Sequence, residues 1–470
     1  MKKYTKDFNP AHNLLTLCLA SYTVVTGFGV IMPFFPLYAS NVLSEIGFGF
    51  FTIGIALQIG IMTSAFMFTR FLLAPSFGDL SDSAGRKPLI LVGMSIYGVL
   101  MVGFGLAYDF PTLFLLRAAQ GVASAAVWPV GEALIVDTSP KEKVGRNLGY
   151  YMMSMQAGMA SGPFIGFAFY FAFHEIIEFS EVLSYKLTFI SVGVLGFAAT
   201  AIVAKMVRDP SIEKREESLK GLYFASVIAM TKKTRGSPKF LLKSLNNHKD
   251  RAYRNRSIYT IYGVAVINGF GFAMIFPIIA LFAYDYYNLD PGAIALLIGL
   301  VGLPALSGGP LGGHISDRIG RKATICFSGF VVGTVFLLIG IEMAIPLLMI
   351  LFLINRFFFG VIQPSFRALQ SDMVPAEVRG KEFGILQAFF NLGSSIGPIA
   401  GGLLYDVFFM KNIQLTPSLT YFGAGMAFAL AGVLALAATF LLLILVDYDR
   451  HKVIEPLESD FKPFIAIAPE

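Results

Sequence analysis

Long apolar stretches separated by short polar loops recur along the chain. They fall at about 13–40, 46–77, 88–107, 110–137, 147–173 and 187–207, then at about 257–284, 291–315, 323–341, 344–374, 383–406 and 416–446. About 20 helical residues cross the hydrocarbon core of a bilayer, so each stretch is long enough to span with some tilt. Backbone groups in lipid must be satisfied within the segment, and the stretches lack the dyad alternation of barrel strands. The pattern predicts an all-α polytopic membrane protein with twelve transmembrane helices in two six-helix halves.

Composition agrees: 56% of residues are apolar and only 14% charged, against about 25% charged in soluble proteins. The placement of charge adds an orientation. With the N-terminus inside, 29 Lys/Arg fall in inner segments and two, Lys186 and Lys411, in outer ones. The positive-inside rule then predicts an integral plasma-membrane or inner-membrane protein with both termini cytoplasmic. The basic start and first apolar run are read as a retained first span, because the run is longer than a signal h-region and lacks a clear cleavage site. The expected organisation is an N-terminal half (1–207), a basic cytoplasmic linker (208–256), a C-terminal half (257–446) and a cytoplasmic tail (447–470). The linker holds 13 Lys/Arg and five Asp/Glu. Its apolar segment 218–230 fits an interfacial helix on anionic membrane lipid, or a solvated linker with one buried turn. Nucleic-acid binding is a poor account of such a loop. Cys18 and Cys326 lie in apolar runs, which argues against a disulfide framework.

An internal repeat carries the reading further. GDLSDSAGRK at 78–87 recurs as GHISDRIGRK at 313–322, an offset of 235 residues. The same offset relates Pro129 to Pro364, Asp137 to Asp372, Gly158 to Gly393, Gly162 to Gly397, Pro163 to Pro398 and Gly166 to Gly401. The chain is therefore a duplicated six-helix unit, and parallel duplicated halves place a substrate site near the midplane between them.

GDLSDSAGRK, in the loop between spans two and three, resembles the signature loop of the major facilitator superfamily. GFGVIMPFFP in span one, LFLLRAAQG in span four and the span-five glycines are similar to motifs of its twelve-helix drug/proton antiporters. Thr26 and Phe167 depart from that pattern, standing where those relatives tend to have leucine and glycine. The resemblance implies that Asp82, Arg86 and Asp137, with Asp317, Arg321 and Asp372 in the second copy, latch an inner gate during alternating access. A static loop staple is the alternative. Gly78 and Gly85 are expected to permit the tight turn. Gly158, Gly162, Pro163 and Gly166, with Gly393, Gly397, Pro398 and Gly401, form a small-residue packing face as readily as an antiport motif.

Span four is the richest in polar groups. Arg117, Gly121, Ser124, Trp128 and Glu132 share one helical face. Arg356, Gly360, Gln363 and Arg367 share a face of span ten. Charged groups inside a bilayer mark a pathway by default. The expected substrate and proton pathway therefore comprises Arg117, Gln120, Trp128, Glu132, Arg356, Gln363, Arg367 and Tyr22. Glu132 is read either as the proton carrier or as a permanent partner of Arg367, its repeat mate. Arg70 is read as snorkelling to the inner headgroups. The histidines give no metal signal, and a nucleotide loop is absent, so no cofactor is expected; the resemblance implies a proton gradient as the energy source. The leading function is secondary active, multidrug-like export of small, largely apolar compounds by a protein working as a monomer. Two alternatives stay open: transport of an anionic metabolite through an arginine-lined cavity, and a non-transporting membrane sensor. No catalytic constellation is present, so the chain is not expected to be an enzyme.

Overall fold

The computed structural model describes residues 10–47, 52–140, 143–207, 256–374 and 379–448. The linker segment 218–230 and nearly all of the 447–470 tail lie outside these residues. Span one is the helix Pro10–Val42, span two Ile55–Ala84, span three Arg86–Leu106, span four Phe110–Thr138, span five Val144–Phe171 and span six Glu181–Met206. In the second half, span nine is Arg321–Ile339, span ten Ile345–Asp372, span eleven Arg379–Phe408 and span twelve Met426–Leu445. Among the described residues, eleven helical spans are long and apolar enough to cross a membrane, with Pro291–Ile319 taken as one. Span five, the twelfth, is long enough (28 residues), but Asn147, Ser154, Gln156, Ser161 and its glycines dilute its hydropathy.

The structure corrects several element boundaries. Ile46–Gly47 and Thr52–Ile53, expected at the start of span two, instead pair as the two strands of a hairpin. Residues 413–421, overlapping the expected start of span twelve, form a second hairpin, Ile413–Thr416 with Leu419–Tyr421. Spans seven and eight, expected to be continuous, are each broken. Span seven is Arg256–Ile275 followed by Ile279–Tyr287, with Pro277 in the turn between them. Span eight is Pro291–Gly302 followed by Pro304–Ile319, interrupted at Leu303. Proline lacks the N–H that would continue the ladder, so both breaks have a local cause.

Within each half, glycines bring helices to backbone contact. A Cβ added at Gly162 would lie 2.6 Å from Gly29 Cα, and one at Gly158 would meet the carbonyl of Tyr22. One at Gly166 would meet the Phe34 ring, so span five lies directly on span one. Gly393, Gly397 and Gly401 approach the backbone of Val266, Phe270 and Met274 in the same way, laying span eleven on span seven. Pro163 and Pro398 sit inside these two helices.

The two contact seams between the halves are built differently. Span five meets span eight by inserting rings into gaps: Phe164 faces Gly299 and Phe167 faces Gly292. Span two meets span eleven backbone to backbone, Gly60 against the Pro398 carbonyl and Gly402 against Ala56 and Leu57. Phe167 and Gly402 occupy equivalent repeat positions, so the glycine expected at 167 is replaced by a ring where the neighbour supplies the gap. The Asp406 carboxylate of span eleven accepts from Ala56 N (3.2 Å) and Leu57 N (2.8 Å), capping span two of the opposite half. The residue preceding span two, Gly54, has no side chain with which to cap it.

The distribution of the core shows which end is closed. One hydrophobic cluster draws on both halves, from Phe28, Phe34 and Phe66 to Phe276, Phe282 and Phe428. It lies on the side away from the two repeated loops, called here the far side. The other two clusters lie nearer the loops, and each is confined to one half: one around Val24, Tyr97 and Leu134, the other around Ile261, Leu369 and Leu442.

Candidate functional site

The repeated loops carry matched charge clusters. In the first copy Arg86 pairs with Asp137 at 2.8 Å. The side chain of Asp82, expected to share this cluster, lies outside the described residues. In the second copy Arg321 bridges Asp317 (2.5 Å) and Asp372 (3.1 Å), and the Tyr448 hydroxyl donates to Asp372 at 2.8 Å. Gly85 (φ 91°) and Gly320 (φ 112°) make the two turns, a conformation that favours glycine. Gly78, also expected in the turn, instead lies inside span two, where an added Cβ would meet nothing within 4 Å. Lys87 donates to the Ala204 carbonyl at the end of span six, and Lys322 donates to the Val446 carbonyl just past span twelve. The loop thus ties down the last helix of its own half in both copies, placing a cation where the helix dipole is negative.

Span four holds a buried polar face. Arg117 is 3% exposed, and its guanidinium donates to Gln120 Oε1 at 3.1 Å. The same group stacks 3.8 Å from the Phe35 ring centre and 5.7 Å from that of Phe104. Gln120 and Ser124 are fully buried. Trp128 is met edge-on by Phe28 at 6.2 Å, and Phe28 in turn reaches Phe276 in the break of span seven at 5.5 Å. Tyr22, on span one, accepts from Ser161 Oγ at 2.9 Å.

Arg70 is a correction. Its guanidinium lies 4.0 Å from the Trp128 ring centre and within coulombic reach of Tyr97 and Glu132. It therefore turns into the bundle rather than snorkelling to headgroups. Glycine at 121 is the physical reason, since an added Cβ there would press on Phe66, Thr69 and Arg70. Spans two and four approach closely enough for Arg70 to cover the indole.

Glu132 is half-buried, within coulombic reach of Arg367 and Arg70, and forms no ion pair with either. Arg367 is exposed and reaches across to Met152 Sδ of span five at 3.7 Å. The other span-ten residues lie apart from this set. Arg356 sits 5.7 Å from the Phe272 ring centre. Gln363 shares a cavity of about 60 Å³ with Asn268, Phe272 and Phe359 inside the second half. The expected pathway thus divides into a first-half group of Arg117, Gln120, Trp128 and Glu132, and a second-half group of Arg356 and Gln363. Arg367 is the second-half residue that approaches Glu132.

Sequence reasoning missed two acids. Glu382 is fully buried near the start of span eleven, accepting from the Tyr262 hydroxyl, while its backbone carbonyl accepts from Gln370 Nε2 at 2.8 Å. It was hidden because the helix begins at Arg379, ahead of the apolar run. Asp406 looked like the end of a span; the glycine at 54, a helix start without a cap of its own, was the available signal.

The sequence profile of the Major Facilitator Superfamily matches residues 17–249 and 261–468. The quinolone resistance protein NorA of Staphylococcus aureus is 23% identical over 394 residues, covering 82% of this chain and 88% of the relative. The multi-drug resistance efflux pump PmrA of Streptococcus pneumoniae is 24% identical over 408 residues, covering 86% and 91%. Among solved structures, a bacterial homologue of the human lysosomal transporter Spinster, inward-facing and unoccupied, superposes with a TM-score of 0.67 at 16% identity, covering 94% and 96%. The inward-open xylose transporter XylE of E. coli gives 0.67 at 13% identity, covering 95% and 98%.

Proposed function

Since the chain belongs to the major facilitator superfamily and is a membrane transporter rather than an enzyme, we propose that it exports small, largely apolar compounds in exchange for protons by alternating access. One observation carries the reading: a hydrophobic cluster joins the halves on the far side, while the cores nearer the loops stay within their own halves. A protein closed at one end and divided at the other needs only a rocking of its halves to expose a midplane site to either side. The efflux direction draws on relatives whose names are a quinolone resistance protein and a multi-drug resistance efflux pump. We assign the loop side to the cytoplasm because the basic residues crowd there. The cargo would then load from the cytoplasm in the conformation described.

Glu132 is our proton carrier. It lies between two cationic side chains and is ion-paired to neither, so a relative motion of the halves changes its distance from Arg367 while Arg70 moves with it. A carboxylate favours its charged form near a cation and its protonated form in an apolar setting. The test uses proteoliposomes with an imposed pH gradient and a lipophilic fluorescent cargo. Glu132→Gln is expected to abolish gradient-driven flux while leaving cargo binding within a few-fold of wild type. Wild-type gradient-driven flux in that variant removes Glu132 as carrier.

A further inference from the structure

We propose that the first half contains an anion site between spans two, three and four that takes the carboxylate of an amphiphilic organic acid. Arg70 and Arg117 form its cationic walls, and Ser124 and Trp128 its neutral hydrogen-bonding groups. The proposal rests on the exporter reading only in calling that acid a cargo.

The charge balance of the site is its first support. A guanidinium inside a bilayer is costly even on the mildest scale, and such groups are normally paired. Arg70 and Arg117 each rest on an aromatic ring and, among the described residues, neither enters an ion pair. Tyr97 lies within coulombic reach of both. The nearest acid, Glu132, also faces Arg367. The second half has no equivalent cluster, because the repeat positions of Arg70 and Arg117 are Ala305 and Phe352.

The free polar atoms give the chemistry of the missing partner. Arg117 Nε, Ser124 Oγ and Trp128 Nε1 are buried and have no hydrogen-bond partner. Arginine and indole nitrogens only donate. The Gln120 side chain is already engaged, its carbonyl oxygen accepting from Arg117 and its amide facing the Tyr97 hydroxyl. Buried donors left without partners are costly, about 1–3 kcal/mol each. Arg117 Nε and Trp128 Nε1, with the Ser124 hydroxyl between them on one face of span four, call for acceptors. Guanidinium groups hold carboxylates with paired, charge-assisted bonds. The ring nest beside the patch suits an apolar body: Phe28 lies 5.4 Å from Phe66 and 5.5 Å from Phe276. Arg70 is the partly exposed member, whereas Arg117, Gln120 and Ser124 are sealed. The mouth is therefore at Arg70 and Trp128.

Trp128 is the chain's single tryptophan, so intrinsic emission reads this site alone. The full chain in lipid vesicles is titrated with octanoate, octyltrimethylammonium and acetate, which absorb no excitation light. A saturable emission change is expected with octanoate, none with the matched cation, and binding at least about tenfold weaker with acetate. Arg70→Gln and Arg117→Gln are each expected to weaken octanoate binding about tenfold or more, which is about 1.4 kcal/mol. Arg70→Lys should recover part of the loss, a recovery that a purely structural role would not give. The proposal is overturned by equal responses to anion and cation, by acetate matching octanoate, or by wild-type octanoate affinity in folded Arg70→Gln. Absence of an octanoate response in the wild-type chain alongside intact pH-driven export would sink the site and leave the exporter reading standing.

Discussion

Replacing Asp406 with alanine removes the cap that the second half places on span two of the first. With the far side closed, the carboxylate satisfies two N–H groups of that helix start, at 3.2 and 2.8 Å. With the far side open, those groups face water and the cap is not made. The substitution therefore acts on one conformation only. Loss of a helix cap costs about 1 kcal/mol, and loss of an anion at the positive end of the helix dipole about 0.3–1 kcal/mol more. Together these shift the equilibrium toward the far-side-open form about ten- to thirtyfold. Asp406→Asn keeps an acceptor and loses the charge, so its shift should be smaller. Spin labels at G47C and K411C, on opposite halves of the far side and with Cys18 and Cys326 made serine, report the separation by pulsed electron resonance. The expected result is a longer-distance population in Asp406→Ala, intermediate in Asp406→Asn and minor in the parent. Identical distance distributions in all three would refute the reasoning.

Three further outcomes follow from the same structure. Asp82→Asn and Arg86→Ala should each slow turnover several-fold with cargo affinity retained, measured as transport rate against equilibrium binding, because these groups sit at the loop end, away from the midplane. Gly162→Val should prevent recovery of monodisperse protein in size-exclusion chromatography, since the new Cβ would meet the backbone of Gly29 and Thr26 at 2.6 Å. Gly78→Ala, with open space around it, should leave the elution profile and thermal midpoint unchanged.

The sequence was most informative where physics acts locally. Apolar runs gave the spans, because lipid admits few alternatives to helix. The repeat paired Arg86–Asp137 with Arg321–Asp372 from the sequence, since loops that share their Gly, Ser, Asp, Gly, Arg and Lys positions fold alike. Chain breaks were less visible: Pro277 lies within an apolar run that reads as one helix, and the two hairpins have the composition of span ends. Arg70 was misplaced because its distance from the loop suits snorkelling. What turns it inward is the missing Cβ of Gly121, a neighbour in space rather than in sequence. Asp406 and Ala56 are 350 residues apart, and no local pattern joins them.

Gly401 and Gly402 are adjacent in the chain yet serve different partners. The first lies against Met274 of its own half, the second against Ala56 and Leu57 of the other. Bulk at the first position strains a packing shared by every state of the cycle, whereas bulk at the second strains only the state in which spans two and eleven touch. A small wedge at 402 would therefore prop the far side apart without harming the fold. The molecule thus offers a place to arrest it in the conformation opposite to the one described, which would let both end states be captured from nearly identical chains.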